Sequence, residues 1–118
     1  MKDLDLNMVV LCGRLASDPE IRVFDSGSRL IRYLVTVRAE PPRRRVDVIP
    51  ATIWDPSDDL VDDPGMRGDR VWITGSVQRR FWESPDGKRG RVEVVGERFK
   101  VNDLDDLEPL IASWGAIR

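Results

Sequence analysis

Two of the four tryptophans stand among concentrated positive charge. Trp82 closes the run Arg79-Arg80-Phe81-Trp82, and Lys88, Arg89 and Arg91 follow soon after. Trp54 ends a β-rich run that starts just behind the loop Glu40-Pro41-Pro42-Arg43-Arg44-Arg45. A flat indole face can take a stacked base and a guanidinium or ammonium can take a phosphate. Alternating along a groove, the two suit an unpaired nucleic-acid strand, at about 1–3 kcal/mol per stacked base. The competing reading is that the indoles cover a core edge or a subunit contact while the charges solvate a surface. For Trp54 one step of strand register separates the two readings.

Catalysis has little to work with. The chain has no histidine, the commonest general base and metal ligand. Its one cysteine, Cys12, cannot build a zinc site or an internal disulfide, and it reads as a small buried apolar side chain. Asp58-Asp59 and Asp62-Asp63 lack the spaced oxygens, Gly and final Glu of a calcium loop. Gly13 and Gly75 fall in no phosphate-loop or dinucleotide motif. The residues therefore predict no enzyme, no metal, no cofactor and no small-molecule substrate.

The net charge is −2, which taken as a sum argues against a nucleic-acid partner. The distribution argues otherwise. Residues 14–54 carry a net +3 and residues 70–100 a net +4, while residues 55–69 carry −5 and residues 101–118 carry −3. Basic strands thus alternate with acidic connectors, and one face can be positive on an acidic molecule. The acidic connector is expected to lie away from any phosphate-binding groove. No apolar run reaches the roughly 18 residues of a membrane span, and the acidic start is unlike a secretory signal. A cytoplasmic protein, with no membrane partner, is the expectation.

The elements that must position these residues are strands. Residues 8–15, 21–24, 29–38, 46–54, 70–82 and 91–99 are rich in β-branched and apolar side chains, and turn clusters such as Asp18-Pro19 and Asp25-Ser26-Gly27-Ser28 separate them. In residues 70–82, Val71, Ile73, Val77 and Phe81 share one parity, and Trp72, Thr74, Ser76, Gln78, Arg80 and Trp82 the other. Gly75 predicts a bend or bulge there, and Ser84-Pro85-Asp86-Gly87 a hairpin turn. Five or six short strands with at most a short helix predict an all-β fold, a small closed barrel with long β-hairpin loops. Residues 1–100 read as its one domain. Residues 101–118 read as a docked C-terminal extension, in which Leu104, Leu107, Ile111 and Trp114 have roughly helical spacing.

Several segments resemble the bacterial single-stranded DNA-binding proteins. Asn7-Met8-Val9-Val10-Leu11-Cys12-Gly13-Arg14-Leu15 resembles that family's first strand, and Asp18-Pro19-Glu20-Ile21-Arg22 the segment after it. Gly68-Asp69-Arg70-Val71-Trp72-Ile73-Thr74-Gly75 is similar to the stretch before its last hairpin, and Arg79-Arg80-Phe81-Trp82 with Asp86-Gly87 to the hairpin itself. The pieces run in the family's order over residues 7–98. The resemblance implies an OB-fold barrel and a homo-oligomer, a tetramer or dimer of dimers. It also implies binding of single-stranded DNA with little sequence preference in replication, recombination and repair, in the cytoplasm at the nucleoid.

By position, the resemblance makes Trp54 and Trp82 stacking residues and Trp72 a subunit-interface residue. Arg43, Arg44, Arg45, Arg79, Arg80, Lys88, Arg89 and Arg91 are then the phosphate contacts, with Arg14, Arg32 and Arg38 weaker candidates whose face parity alone does not fix. The chain departs from the pattern where Val48 and Pro41 replace tryptophans, where residues 55–64 would make a poor helix, and where the long acidic-tipped tail is missing from the sequence. It thus looks like a divergent or accessory member. The alternative function is an OB-fold adaptor that binds protein in a replication or restart complex.

Overall fold

Alternating apolar side chains need a shared interior, and the chain makes one by closing its strands on themselves. The computed structural model describes residues 3–42 and 44–101. Six strands, β1 (Val9–Leu15), β2 (Glu20–Val23), β3 (Arg29–Ala39), β4 (Arg45–Trp54), β5 (Arg70–Ser84) and β6 (Gly87–Val101), form one sheet in the order β1-β5-β6-β4-β3-β2. Arg14 and Leu15 of β1 return to Thr36 and Val35 of β3, which closes five strands into a barrel and leaves β2 flanking β3. Only β4 and β6 run parallel, through Ala51 beside Val94 and Thr52 beside Val95. The predicted all-β barrel is the fold observed.

The barrel interior takes one parity from each long strand. Leu15, Ile31, Tyr33, Val35, Ala51, Ile53, Val71, Ile73 and Val94 form its core, with Leu11, Ile49, Phe99 and Val101 packed against it. Tyr33 stacks on Phe99, ring centroids 4.2 Å apart, and its hydroxyl donates to the Pro64 carbonyl at 3.0 Å. A buried aromatic with a satisfied polar tip is favourable in such a core.

Gly75 lies where expected, at a register shift between Thr74 and Gly75. A Cβ there would stand 1.9 Å from the Val95 carbonyl oxygen, so no other residue allows the two backbones this approach. The acidic connector folds one short helix, α1 (Asp58–Asp62), which Ser57 caps by accepting from the Leu60 amide at 3.2 Å. Residues 55–64 do hold a helix, though one of only five residues. Cys12, expected to be buried, is half-buried, opposite Trp72 on the outward side of β1 and β5. Among the described residues no helix is long and apolar enough to cross a membrane. Val101, expected to open the extension, is the last residue of β6 and packs on the core, and the rest of the expected docked extension, with its helical spacing, lies outside the described residues.

Candidate nucleic-acid interface

The β5–β6 hairpin pairs from Val71 with Val101 out to Ser84 with Gly87, and beyond the Gln78–Glu93 pair it extends past the core. Directly opposed residues of an antiparallel pair share a face. Gln78 with Glu93, Arg80 with Arg91 and Trp82 with Arg89 therefore line one face. Arg79 with Val92, Phe81 with Gly90 and Glu83 with Lys88 line the other.

The first hairpin face continues across the outside of β4 and β3. The Arg80 guanidinium lies 5.3 Å from the Trp54 ring centroid, and that of Arg91 lies 5.8 Å from the Trp82 centroid. Trp54 is also stacked on Phe24 of the turn after β2, with centroids 5.9 Å apart and planes 15° apart. Trp54 is 38% exposed and Trp82 44% exposed, far more than the core aromatics. Each cation–aromatic contact at such a site contributes about 0.5–1 kcal/mol and holds the ring and the charge together.

Beneath these pairs sits Glu93, only 5% exposed. Its carboxylate oxygens lie 3.8 Å from Arg80 Nη1 and 3.8 Å from Arg91 Nη2, and the Thr52 hydroxyl donates to Oε2 at 3.5 Å. One buried carboxylate thus faces both arginines that accompany the two tryptophans. It orients them and offsets part of their charge. On the neighbouring strand Arg32, paired with Thr52 across β3 and β4, has a buried Nε with no hydrogen-bond acceptor. Glu20, opposite Arg32 on β2, has its carboxyl pKa held below the usual value, first by the 2.7 Å hydrogen bond from Arg22 and more weakly by the charge of Arg32.

The expected phosphate contacts divide into three groups. Arg80, Arg89 and Arg91 share the face of Trp82; Arg80 reaches Trp54, Arg91 lies by Trp82, and Arg89 pairs with Asp86 at 3.5 Å. Arg79 and Lys88 are on the opposite face of the hairpin, with Phe81. Arg44 and Arg45 line a cleft of about 310 Å³ with Arg38 and Val46, at the far end of β4 from Trp54. Arg45 is already engaged by Asp47 at 2.9 Å, a contact that raises its pKa further. Arg43 lies outside the described residues. Between the cleft and Trp54, the same outward parity of β4 carries Val48, exposed, in place of a flat ring.

Register also assigns Arg32 and Arg38 to the face of Trp54, while Arg14 donates to the Gly68 carbonyl at 3.0 Å. Trp72 points outward from β5 but is only 6% exposed within the chain. The acidic connector does not keep wholly away from Trp54. Its start, Asp55, Pro56 and Ser57, borders a groove with Trp54, Arg98 and Lys100, and Asp58 pairs with Arg29 at 2.7 Å.

Sequence reasoning missed Phe24, Phe81 and Glu93. Phe81 sat in plain view beside Trp82, and its exposure was the missing information. Glu93 had no local signal, because Arg80 lies across the hairpin and Thr52 on another strand.

The single-strand binding protein family model matches residues 6–102. The chain is 31% identical over 106 residues to "Single-stranded DNA-binding protein 1" of Streptococcus pyogenes, covering 86% of this chain and 82% of that one. It is 32% identical over 101 residues to the single-stranded DNA-binding protein of Enterococcus faecalis, covering 81% of this chain and 54% of the relative. In three dimensions it is similar to the Plasmodium falciparum SSB in complex with ssDNA, with TM-score 0.70 and 20% identity over 87% of this chain and all of that one.

Proposed function

The chain belongs to the single-strand binding protein family, and from that premise we propose that it binds single-stranded DNA on the face shared by Trp54 and Trp82. The observation that carries this reading is the assembly of two half-exposed indoles, each with an arginine within 6 Å of its ring centroid, on one continuous outer face. Bases stack on Trp54 and Trp82, while Arg80, Arg89 and Arg91 meet phosphates. Neither contact reads base edges, so sequence preference is weak. The cleft of Arg38, Arg44 and Arg45 extends the phosphate path along β3 and β4. The protein performs no reaction. It covers strands exposed during replication, recombination and repair in the bacterial cytoplasm.

The binding unit is a homo-oligomer, a dimer of dimers. Residues 9–12 of β1 pair with β5 on one edge, and β3 reaches β1 only at Arg14 and Leu15. The other edge of that segment faces no strand among the described residues, and Leu4, Leu6, Met8 and Val10 beside it are exposed. An open apolar edge of this kind favours strand pairing with a second copy. Trp72, next to Cys12 in register, supports that surface from within the chain.

Titration of the intrinsic tryptophan fluorescence with oligo-dT tests the reading. Saturable quenching that weakens with salt and is absent with duplex DNA is expected. Absence of binding at low salt overturns it and favours the protein-binding adaptor.

A further inference from the structure

The two sides of the projecting hairpin are built alike. On the side away from Trp82, Phe81 is 55% exposed, although its parity continues that of the core residues Val71 and Ile73. No strand of the barrel covers it there. Gly90 stands directly opposite, and a Cβ at Gly90 would lie 2.9 Å from Cδ1 and Cε1 of the ring. The ring therefore lies against the bare backbone of β6 instead of standing off it. The Arg79 guanidinium is 5.3 Å from the ring centroid and the Lys88 ammonium 5.4 Å. Val92, opposite Arg79, is exposed, and Glu83, opposite Lys88, is the one acid this face adds.

We propose that Phe81, with Arg79 and Lys88, is a second stacking platform for single-stranded DNA, so that one strand contacts both faces of the hairpin. A flat ring at rest on a glycine and flanked by two cations offers what an unpaired strand needs, a π face for a base and charges for the flanking phosphates. With Trp82 on the opposite face, the two rings are adjacent in sequence and point to opposite sides by period two. A strand that crosses the hairpin then meets an aromatic on either side. This rests on the single-strand reading above and extends it to a surface that reading does not use.

The test compares Phe81→Leu, Phe81→Tyr and Trp82→Ala with the unaltered chain, each titrated with an oligo-dT of about 30 nucleotides, well above the site of one barrel. Leucine keeps the apolar cover and removes the flat face, whereas tyrosine keeps the face. Phe81→Leu is expected to weaken binding about tenfold, with unchanged melting temperature and unchanged mass by light scattering, and Phe81→Tyr to restore it. The double change Arg79→Gln with Lys88→Gln is expected to lower the slope of log affinity against log salt by about 1.4, or about 0.7 per phosphate contact. Equal affinity of Phe81→Leu and the unaltered chain overturns the second platform while leaving the single-strand reading intact, provided Trp82→Ala is impaired. A fall in molecular mass in Phe81→Leu also overturns it, and makes this face a subunit contact. Failure of the unaltered chain to bind oligo-dT removes the single-strand reading itself.

Discussion

The two halves of the β5–β6 ladder obey the same alternation and meet opposite fates. Below Gly75, Val71 and Ile73 are wholly buried; above it, Val77 is 39% exposed and Phe81 more so. Along β5 nothing in the local sequence changes sides at that point, although in β6 the bulge moves the core-facing parity from Phe99 and Val101 to Val94. What changes is the neighbourhood: up to Gly75, β5 is flanked by both β1 and β6, and β6 meets β4 at Val94 and Val95, while residues 79–92 run past the core and are exposed or half-exposed on both faces. Apolar parity therefore stabilises the fold in one half and leaves apolar and aromatic side chains exposed in the other.

Substitutions should separate the halves. Ile73→Ala leaves a cavity in the barrel and is expected to cost about 3–4 kcal/mol in chemical denaturation, whereas Val77→Ala on the same strand should cost about 0.5 kcal/mol or less. A comparable loss at both sites would mean that the hairpin is packed as tightly as the barrel. In the upper half, Trp82→Ala should leave stability unchanged and weaken oligo-dT binding by about 10- to 100-fold, read by anisotropy of a labelled strand.

Glu93 lies between the two regimes, so its substitution should register in both. Glu93→Ala removes the common partner of Arg80 and Arg91, and because both arginines reach water the expected loss of stability is about 1–2 kcal/mol by urea titration. A stability equal to that of the unaltered protein would mean that the 3.8 Å contacts hold neither arginine.

The last effect belongs to the barrel alone and has a component that appears at high pH. Burial raises the phenol pKa of Tyr33 above its ordinary value. A raised folded pKa means that stability is fully present below the unfolded pKa of about 10 and is lost as pH rises above it. The melting temperature of the unaltered protein should fall through that range. Tyr33→Phe should lack this component of the fall and should lose about 1 kcal/mol at neutral pH, where the bond to the Pro64 carbonyl is gone.

Much of the barrel was legible because period two and turn chemistry are local. Val71 and Ile73 announced their strand, Gly75 its bulge, and Ser84-Pro85-Asp86-Gly87 its hairpin turn, at which β5 ends and β6 begins. The candidate residues could be listed from the sequence, but their arrangement could not. Arg79 and Arg80 are neighbours in sequence yet serve opposite faces, while Arg80 and Trp54, far apart in the chain, meet. Residues 55–64, expected to make a poor helix, hold one of only five residues, which Ser57 caps and Leu60 and Val61 anchor to the core, a contact that composition does not record.

By itself the sequence determined which residues alternate, where the strands turn, and which aromatic and basic side chains the chain has to offer a ligand. Those properties follow from side-chain type and from backbone constraints within a few residues. Only the tertiary structure decided which alternating face is covered, that Glu93 stands under both arginines, and that the hairpin presents an aromatic on either side. Burial and ion pairing are properties of distances between strands, and strand register, which sets those distances, is decided by the closed barrel as a whole.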